Sequence, residues 1–464
     1  MAEHSLDGID GPRKAVAHTD PRRMKRIAFA SFIGTLVEFY DFVIYSTAAA
    51  LVFPQVFFPA LGAAAGTVAS FATFGVAFVA RPFGSILFGH FGDRLGRKKT
   101  LIATLLLMGI ATGLVGLMPT ADKIGVIAPI MIVLLRVLQG LAAGGEWAGA
   151  VLFASENSPK AKRGVWAAVP LLGACAAIIL ANATFLVSGL SMTNETFVSW
   201  GWRIPFLASI VLVGIGLWVR LTIEETAVFK TQVARHGTLK LPFLEAFKKQ
   251  PRILLLAAGT EVTAFTLSYV AGPYMTSYGT AVLGLSRNYV LTIAIVGGVC
   301  LFAATFFGAW ISDRIGRRRT IIIAVSTGIV WSLVLFPILE TKSRVAFALA
   351  VPLTLMIAGM ANGPVGAYVS ELFHTRYRYT AAGFSYSLAG ILGGAVPPLV
   401  GAYLTARFEL GGIIFGVFVA GLCLLSLLCV LALTETKAQS LTELDAAYRD
   451  ADVGTKVDDE VEVR

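Results

Sequence analysis

Apolar residues in this chain run in long, nearly unbroken stretches separated by short polar ones. Water-facing helices instead repeat their apolar positions every three or four residues. A run of about 20 apolar residues crosses the ~30 Å hydrocarbon core of a bilayer, and roughly twelve stretches here approach that length. They predict helices over 27–52, 66–88, 100–118, 125–152, 165–188, 203–221, 252–277, 288–309, 320–339, 345–369, 380–404 and 411–433. The expected fold class is an all-α polytopic membrane protein with twelve transmembrane helices.

The short polar stretches carry a direction. Alternate loops, at Arg94–Lys99, Lys160–Arg163, 222–251, Arg314–Arg319 and Arg376–Arg378, are rich in Lys and Arg. The loops between them hold only scattered charges. Positive-inside orientation therefore places the basic loops and both termini in the cytoplasm, with the chain in the plasma membrane. The expected organisation is a tail over 1–26, six helices over 27–221, a linker over 222–251, six helices over 252–433 and a tail over 434–464. The apolar run after residue 26 is too long for a signal peptide, so it is taken as the first helix.

Composition agrees. The 464 residues are 56% hydrophobic and only 14% charged, against about a quarter charged in soluble domains. The net charge of +10 resides in the loops, which argues against nucleic acid as a partner. The cysteines Cys175, Cys300, Cys423 and Cys429 all lie inside apolar runs, with no metal or redox spacing. No phosphate loop, nucleophile elbow or zinc-type cluster is present, so no enzyme activity, metal or cofactor is expected.

The chain repeats itself. Gly92-Asp93-Arg94-Leu95-Gly96-Arg97 returns as Ser312-Asp313-Arg314-Ile315-Gly316-Arg317, 220 residues later. Ser155-Glu156 followed by Arg163 returns as Ser370-Glu371 followed by Arg378, 215 residues later. Both echoes sit at helix ends on the basic side. Two parallel six-helix repeats related by an axis along the membrane normal are a known transporter design. An Asp at such a junction can accept backbone N–H groups of a helix N-terminus or pair with Arg, while Gly permits a tight reversal. These residues are read as a cytoplasmic gate.

Several longer segments carry a resemblance: Gly34-Thr35-Leu36-Val37-Glu38-Phe39-Tyr40-Asp41-Phe42, Phe78-Val79-Ala80-Arg81-Pro82-Phe83-Gly84, Arg136-Val137-Leu138-Gln139-Gly140 and Trp200-Gly201-Trp202-Arg203-Ile204-Pro205-Phe206. With the paired loops, they resemble the major facilitator superfamily, and within it the metabolite:proton symporter branch, over residues 27–433. The resemblance implies two six-helix bundles related by a pseudo-two-fold axis. It implies movement of organic acids, amino acids or osmolytes together with protons, by a protein that works as a monomer.

Charged groups buried in a membrane are costly, so each is a functional candidate by default. Glu38 lies about 16 Å into the first helix, with Asp41 one turn further on the same face. Arg81, Arg136, Glu146 and Glu261 also fall inside predicted spans. Four acids facing two arginines leave two uncompensated negative charges. Burial and neighbouring acids both favour a neutral carboxyl, so Glu38, Asp41, Glu146 and Glu261 are candidates to exchange a proton. Arg81 and Arg136 are candidates to bind a carboxylate of the solute, because the guanidinium fork matches carboxylate geometry. Tyr45, Tyr269, Tyr274, Asn362 and Tyr368 are candidates to complete the pocket. Gly140, Gly144 and Gly149 suggest close helix packing. The expectation is proton-coupled import of a small organic acid; the alternatives are a zwitterionic, betaine-like osmolyte and a receptor that no longer transports.

Overall fold

The structure, a computed structural model, describes residues 21–95, 97–144, 146–156, 158–222, 247–374 and 377–437. The N-terminal tail before residue 21, most of the linker and the tail beyond residue 437 lie outside the described residues. So do Gly96 and, beyond their helical backbone, Gly92, Asp93, Arg94 and Arg97.

Twelve helical segments cross the molecule. The first six are α1 (Pro21–Leu51), α2 (Gly62–Leu95), α3 (Arg97–Leu117), α4 (Ile127–Ala143, continued by Trp147–Glu156), α5 (Arg163–Leu190) and α6 (Arg203–Thr222). The second six are α7 (Pro251–Ala281), α8 (Arg287–Ile315), α9 (Arg317–Leu339), α10 (Arg344–Leu372), α11 (Arg378–Arg407) and α12 (Gly411–Leu431). Eleven are long and apolar enough to cross a membrane; the exception is the first, 17-residue part of α4. Helices suit this setting because they satisfy their own backbone hydrogen bonds. Side-chain caps start two of them: Ser286 Oγ accepts from Tyr289 N, and Ser343 Oγ from Ala346 N, both at 3.4 Å. Outward-facing Val79, Phe83, Ile110, Leu114, Val211 and Trp218 are exposed, as lipid contact requires.

Each set of six has its own core. Phe42, Tyr45, Phe53, Phe74, Trp202 and Phe206 centre the first; Tyr274, Phe336, Phe347, Tyr368 and Phe415 centre the second. Packing repeats with a shift of six. Helix α1 lies on α5 as α7 lies on α11; α2 on α4 as α8 on α10; α3 on α6 as α9 on α12. The bundles meet where α5 packs on α8 and α2 on α11, the arrangement a two-fold axis demands.

Three details depart from the sequence reading. The helix predicted over 125–152 is two helices, Ile127–Ala143 and Trp147–Glu156. There the backbones of α2 and α4 nearly touch: Ser85 Oγ bonds the Gly144 carbonyl, and a methyl on Gly144 would stand 2.1 Å from the Arg81 carbonyl oxygen. Helix α8 continues past 309 through Asp313, so this acid occupies a last helical turn, where the helix dipole disfavours it and partners must compensate. Helices α7 and α11 each contain a π-helical stretch, Val270–Tyr274 and Gly390–Ala395, with Pro273 inside the first. Helix α2 runs through Pro82 without interruption.

The α2–α4 seam is set by glycine. A methyl on Gly140 would lie 2.3 Å from the Ala77 carbonyl oxygen, whereas one on Gly149 would meet only the Tyr379 ring at 3.4 Å. Gly140→Ala is therefore expected to cost about 1–3 kcal/mol by overpacking, and Gly149→Ala much less. Thermal unfolding of the two variants in detergent checks this; equal melting temperatures would refute it.

Candidate functional site

The two sequence echoes converge on the face where α2, α8 and α10 end. Arg163 of the first bundle reaches Glu371 of the second at 2.9 Å, and Arg378 of the second reaches Glu156 of the first at 3.5 Å. Between these pairs, Ser155 Oγ and Ser370 Oγ meet at 2.8 Å. Residues related by the repeat thus exchange partners across the axis. The exchange is unequal in burial: the Glu371 side chain is 0% exposed and Glu156 is 42% exposed. Glu371 also accepts from Thr436 Oγ1 at 2.6 Å and lies 3.5 Å from Arg317 Nε.

Asp313 joins the same layer. Its Oδ1 accepts from Gly164 N at 2.9 Å and Arg317 Nη1 at 2.6 Å, and its Oδ2 accepts from Val165 N at 3.2 Å. An acid at the end of α8 thereby caps the N-terminus of α5 in the other bundle, which compensates its place in α8. Gly316, with φ of +109°, makes the turn into α9. Glu435, after α12, accepts from Arg317 N at 2.9 Å and Arg318 N at 3.1 Å. Arg314 stacks on Trp310, 3.8 Å from the ring centroid, and its carbonyl accepts from Lys437 Nζ at 2.5 Å. This layer seals one end of the space between the bundles.

Within the first bundle the buried acids Glu38, Asp41 and Glu146 lie near Arg81, Arg136 and Arg220. Arg136 Nη1 donates to Gln139 Oε1 (2.8 Å), Gln139 Nε2 to Thr112 Oγ1 (2.7 Å), and Thr112 Oγ1 to Asp41 Oδ2 (2.8 Å). Glu146 pairs with Arg220, which also bonds the Leu101 carbonyl. Glu38 lies within electrostatic reach of Arg81 and Arg220. The Arg81 guanidinium sits 4.0 Å from the Phe42 ring centroid and 5.0 Å from that of Phe78, and its nitrogens have no hydrogen-bond acceptor. Arg136 lies 3.8 Å from the Tyr45 ring centroid, and Tyr45 bonds Thr73 at 2.8 Å.

A cavity opens between the bundles, walled by α1, α5, α7, α8, α10 and α11. Its hydroxyl and amide groups come from Ser46, Thr47, Asn182, Ser268, Thr276 and Asn362, and its rings from Phe39, Phe265, Tyr269 and Tyr386. Glu261 alone among its lining residues carries an ionisable carboxyl. It is 1% exposed, and neither oxygen has a hydrogen-bond partner.

The candidates therefore divide. Glu261, Tyr269 and Asn362 line the cavity; Glu38, Asp41, Glu146, Arg81, Arg136 and Tyr45 do not. The arginines lie behind Phe74, Phe78 and Tyr269, whose rings pack at 5.2–5.5 Å. Tyr274 belongs to the core of the second bundle, 4.7 Å from Phe415. Tyr368 donates to the Thr434 carbonyl at 2.9 Å in the sealed layer. Neither is at the cavity wall. Sequence reasoning missed Arg220, Thr112, Gln139, Tyr386, Glu435 and Thr436. One signal was available: Glu225-Thr226, just after the sixth helix, anticipates Glu435-Thr436 after the twelfth.

Two six-helix bundles around a central cavity, sealed at one end by reciprocal ion pairs, define a polytopic helical transporter. The family model of the Major Facilitator Superfamily matches residues 31–397, and the chain belongs to that superfamily; it is a multi-pass membrane transporter and not an enzyme. It is 41% identical over 429 residues to the inner membrane metabolite transport protein YhjE of Escherichia coli (strain K12), covering 91% of this chain and 97% of the relative. It is 40% identical over 425 residues to the shikimate transporter of the same organism, covering 89% and 95%. Its fold matches that of the proton:xylose symporter XylE bound to 6-bromo-6-deoxy-D-glucose, with a TM-score of 0.71 at 18% identity over 91% of this chain and 98% of that one.

Removing one partner of a buried ion pair costs about 3–5 kcal/mol, whereas an exposed pair contributes about 0–1 kcal/mol. Glu371→Gln is expected to shift the closed-to-open ratio of the sealed layer by more than about tenfold, since ~1.4 kcal/mol is tenfold. Glu156→Gln should shift it little. Distances between spin labels at the exposed Lys162 and Arg319 report the change as longer separations. An unchanged distribution in Glu371→Gln would show that the pair is not a latch.

Proposed function

We propose that the protein imports a small organic acid together with protons, by alternating access between its two bundles. The observation that carries this reading is a cavity between the bundles, with ion pairs exchanged between them at one end and an unpartnered carboxyl in its wall. The basic-loop side is taken as cytoplasmic, so the structure corresponds to a state closed to the cytoplasm. Asp313, Glu371, Arg163 and Arg378 act as the inner latch, and Asp93 is assigned the matching role in the first bundle. The 40% identity to a shikimate transporter supports an organic acid as solute. The paired hydroxyl and amide groups of the wall suit a hydroxylated one.

Within the first bundle, Asp41 is the strongest internal proton candidate. The chain Asp41–Thr112–Gln139–Arg136 ties its charge state to the position of a guanidinium. Protonating Asp41 weakens that tie, and a released Arg136 or the acceptor-free Arg81 is free to attract a solute carboxylate. A zwitterionic osmolyte is the second reading. It is favoured by the one carboxyl that the cavity wall offers, which could face a cationic head group if ionised, and by 28% identity to a putative proline/betaine transporter of Staphylococcus aureus (strain COL).

The test is reconstitution of the full chain in vesicles, with a counterflow screen of hydroxylated carboxylic acids, dicarboxylates, aromatic acids and betaines. An acid exterior is expected to drive accumulation, and a protonophore to abolish it. Asp41→Asn should lose accumulation by more than about tenfold, the effect of ~1.4 kcal/mol or more on coupling. Uptake indifferent to the gradient would reject proton coupling, and normal uptake of a carboxylate by Arg81→Gln and Arg136→Gln would reject the arginines as its binding groups.

A further inference from the structure

Glu261 differs from the other buried acids among the described residues. Glu146 and Glu371 have ion-pair partners, Asp41 has a hydroxyl donor, and Glu38 lies in the field of two arginines. Glu261 lies near the middle of α7, 1% exposed, with both oxygens unpartnered and facing the cavity.

The surrounding elements supply nothing that would balance an ionised carboxyl there. Helix α7 itself presents Tyr269; α1 presents Ser46 and Thr47; α5 presents Cys175 and Asn182; α10 presents Asn362; α11 presents Tyr386. Helix α12 brings Cys429, against Gly259, one turn away. All of these are neutral. The nearest arginines from the other bundle, Arg81 and Arg136, are engaged with the Phe42, Phe78 and Tyr45 rings. An unpaired buried charge is far more costly than a buried neutral carboxyl. A protonated Glu261 has one O–H donor to offer, and the cavity is where it is offered.

We propose that Glu261 is the solute's direct proton-bearing contact: in its protonated form it donates a hydrogen bond to a carboxylate oxygen of the bound organic acid. This deepens the reading of the protein as a proton-coupled importer and rests on it. An ionised Glu261 repels an anionic solute and a protonated one holds it, so solute and proton enter the cavity together. The proton is taken up from the outer solution before or with the solute. It leaves to the cytoplasm after the solute departs and water reaches the carboxyl. Tyr386, which lies within electrostatic reach of both Arg81 and Glu261, connects this contact to the buried charges of the first bundle. Asp41 and Glu261 then form two protonation sites on opposite bundles, of which only Glu261 lines the cavity.

Infrared difference spectra of the solute-free protein, wild type against Glu261→Gln, test the charge state without any solute. A protonated-carboxyl stretch present at neutral pH and lost in the variant is expected; its absence from the wild type overturns the proposal. In vesicles, with an acid found by the counterflow screen, Glu261→Gln should still exchange solute, at a rate insensitive to pH, while losing accumulation by more than tenfold. Glu261→Asp, which keeps a proton-bearing group, should recover part of the accumulation. Wild-type accumulation by Glu261→Gln overturns the proposal, and so does solute binding that tightens as pH rises, which marks Glu261 as a site for a cationic head group. A wild-type protein that exchanges no solute defeats the transport reading itself, and the infrared result still decides the state of Glu261.

Discussion

The exchange of partners between Arg163–Glu371 and Arg378–Glu156 is the contact on which the observed state depends. Each arginine opens a helix of one bundle, and each glutamate closes a helix of the other. At that end the two bundles also touch through apolar groups, such as Gly149 against the Tyr379 ring and Val151 against Gly366, but the ion pairs and hydroxyls are the contacts that water can replace. Polar contacts are suited to the task. They are strong when dry, lose most of their strength when wetted, and leave no apolar surface exposed when they part. The serine pair at the axis and the Asp313 cap of α5 add short, directional bonds of the same reversible kind.

The two halves of that exchange are not equivalent. Glu371 is buried and bound by Arg163, Arg317 and the hydroxyl of Thr436, while Glu156 is exposed and pairs with Arg378. The segment after α12 accounts for part of this. Glu435 caps α9 and Thr436 caps nothing but Glu371, so the end of the second bundle is drawn into the latch. A latch built from repeated parts is thereby weighted toward one bundle, with most of its buried contacts gathered on α10.

How much of this was legible follows from the physics of each part. The twelve spans were legible because lipid permits only helices of a certain length and apolarity. The convergence of these residues was legible because duplication placed Ser-Glu and Arg at the same spacing twice, and a charge at a membrane face is conspicuous; their role as a gate is a proposal. The rotation of each helix about its own axis was not. An all-round apolar helix has no polar face to announce its direction, so Arg81 and Arg136 were expected at the cavity and instead lie behind a layer of rings. Partners that join distant helices were equally hidden. Arg220 reads as one more topogenic charge at a helix end until the fold brings it to Glu146. The break in α4 was equally invisible, since nothing in an apolar run marks where the α2 backbone will approach Gly144.

The chemistry does not share the symmetry of the scaffold. In the first bundle the buried acids Glu38, Asp41 and Glu146 lie among arginines: Glu146 pairs with Arg220, Asp41 reaches Arg136 through Thr112 and Gln139, and Glu38 lies in the field of Arg81 and Arg220. The second bundle places one acid, Glu261, in the cavity wall with no cation to balance it. An arrangement of this kind is unstable to any charge that enters or leaves the cavity alone, and stable to pairs that enter together. Alternating access needs two bundles that are alike in shape. The proposed coupling to protons asks in addition for a difference in charge, and the unpaired Glu261 in the cavity wall of the second bundle is such a difference.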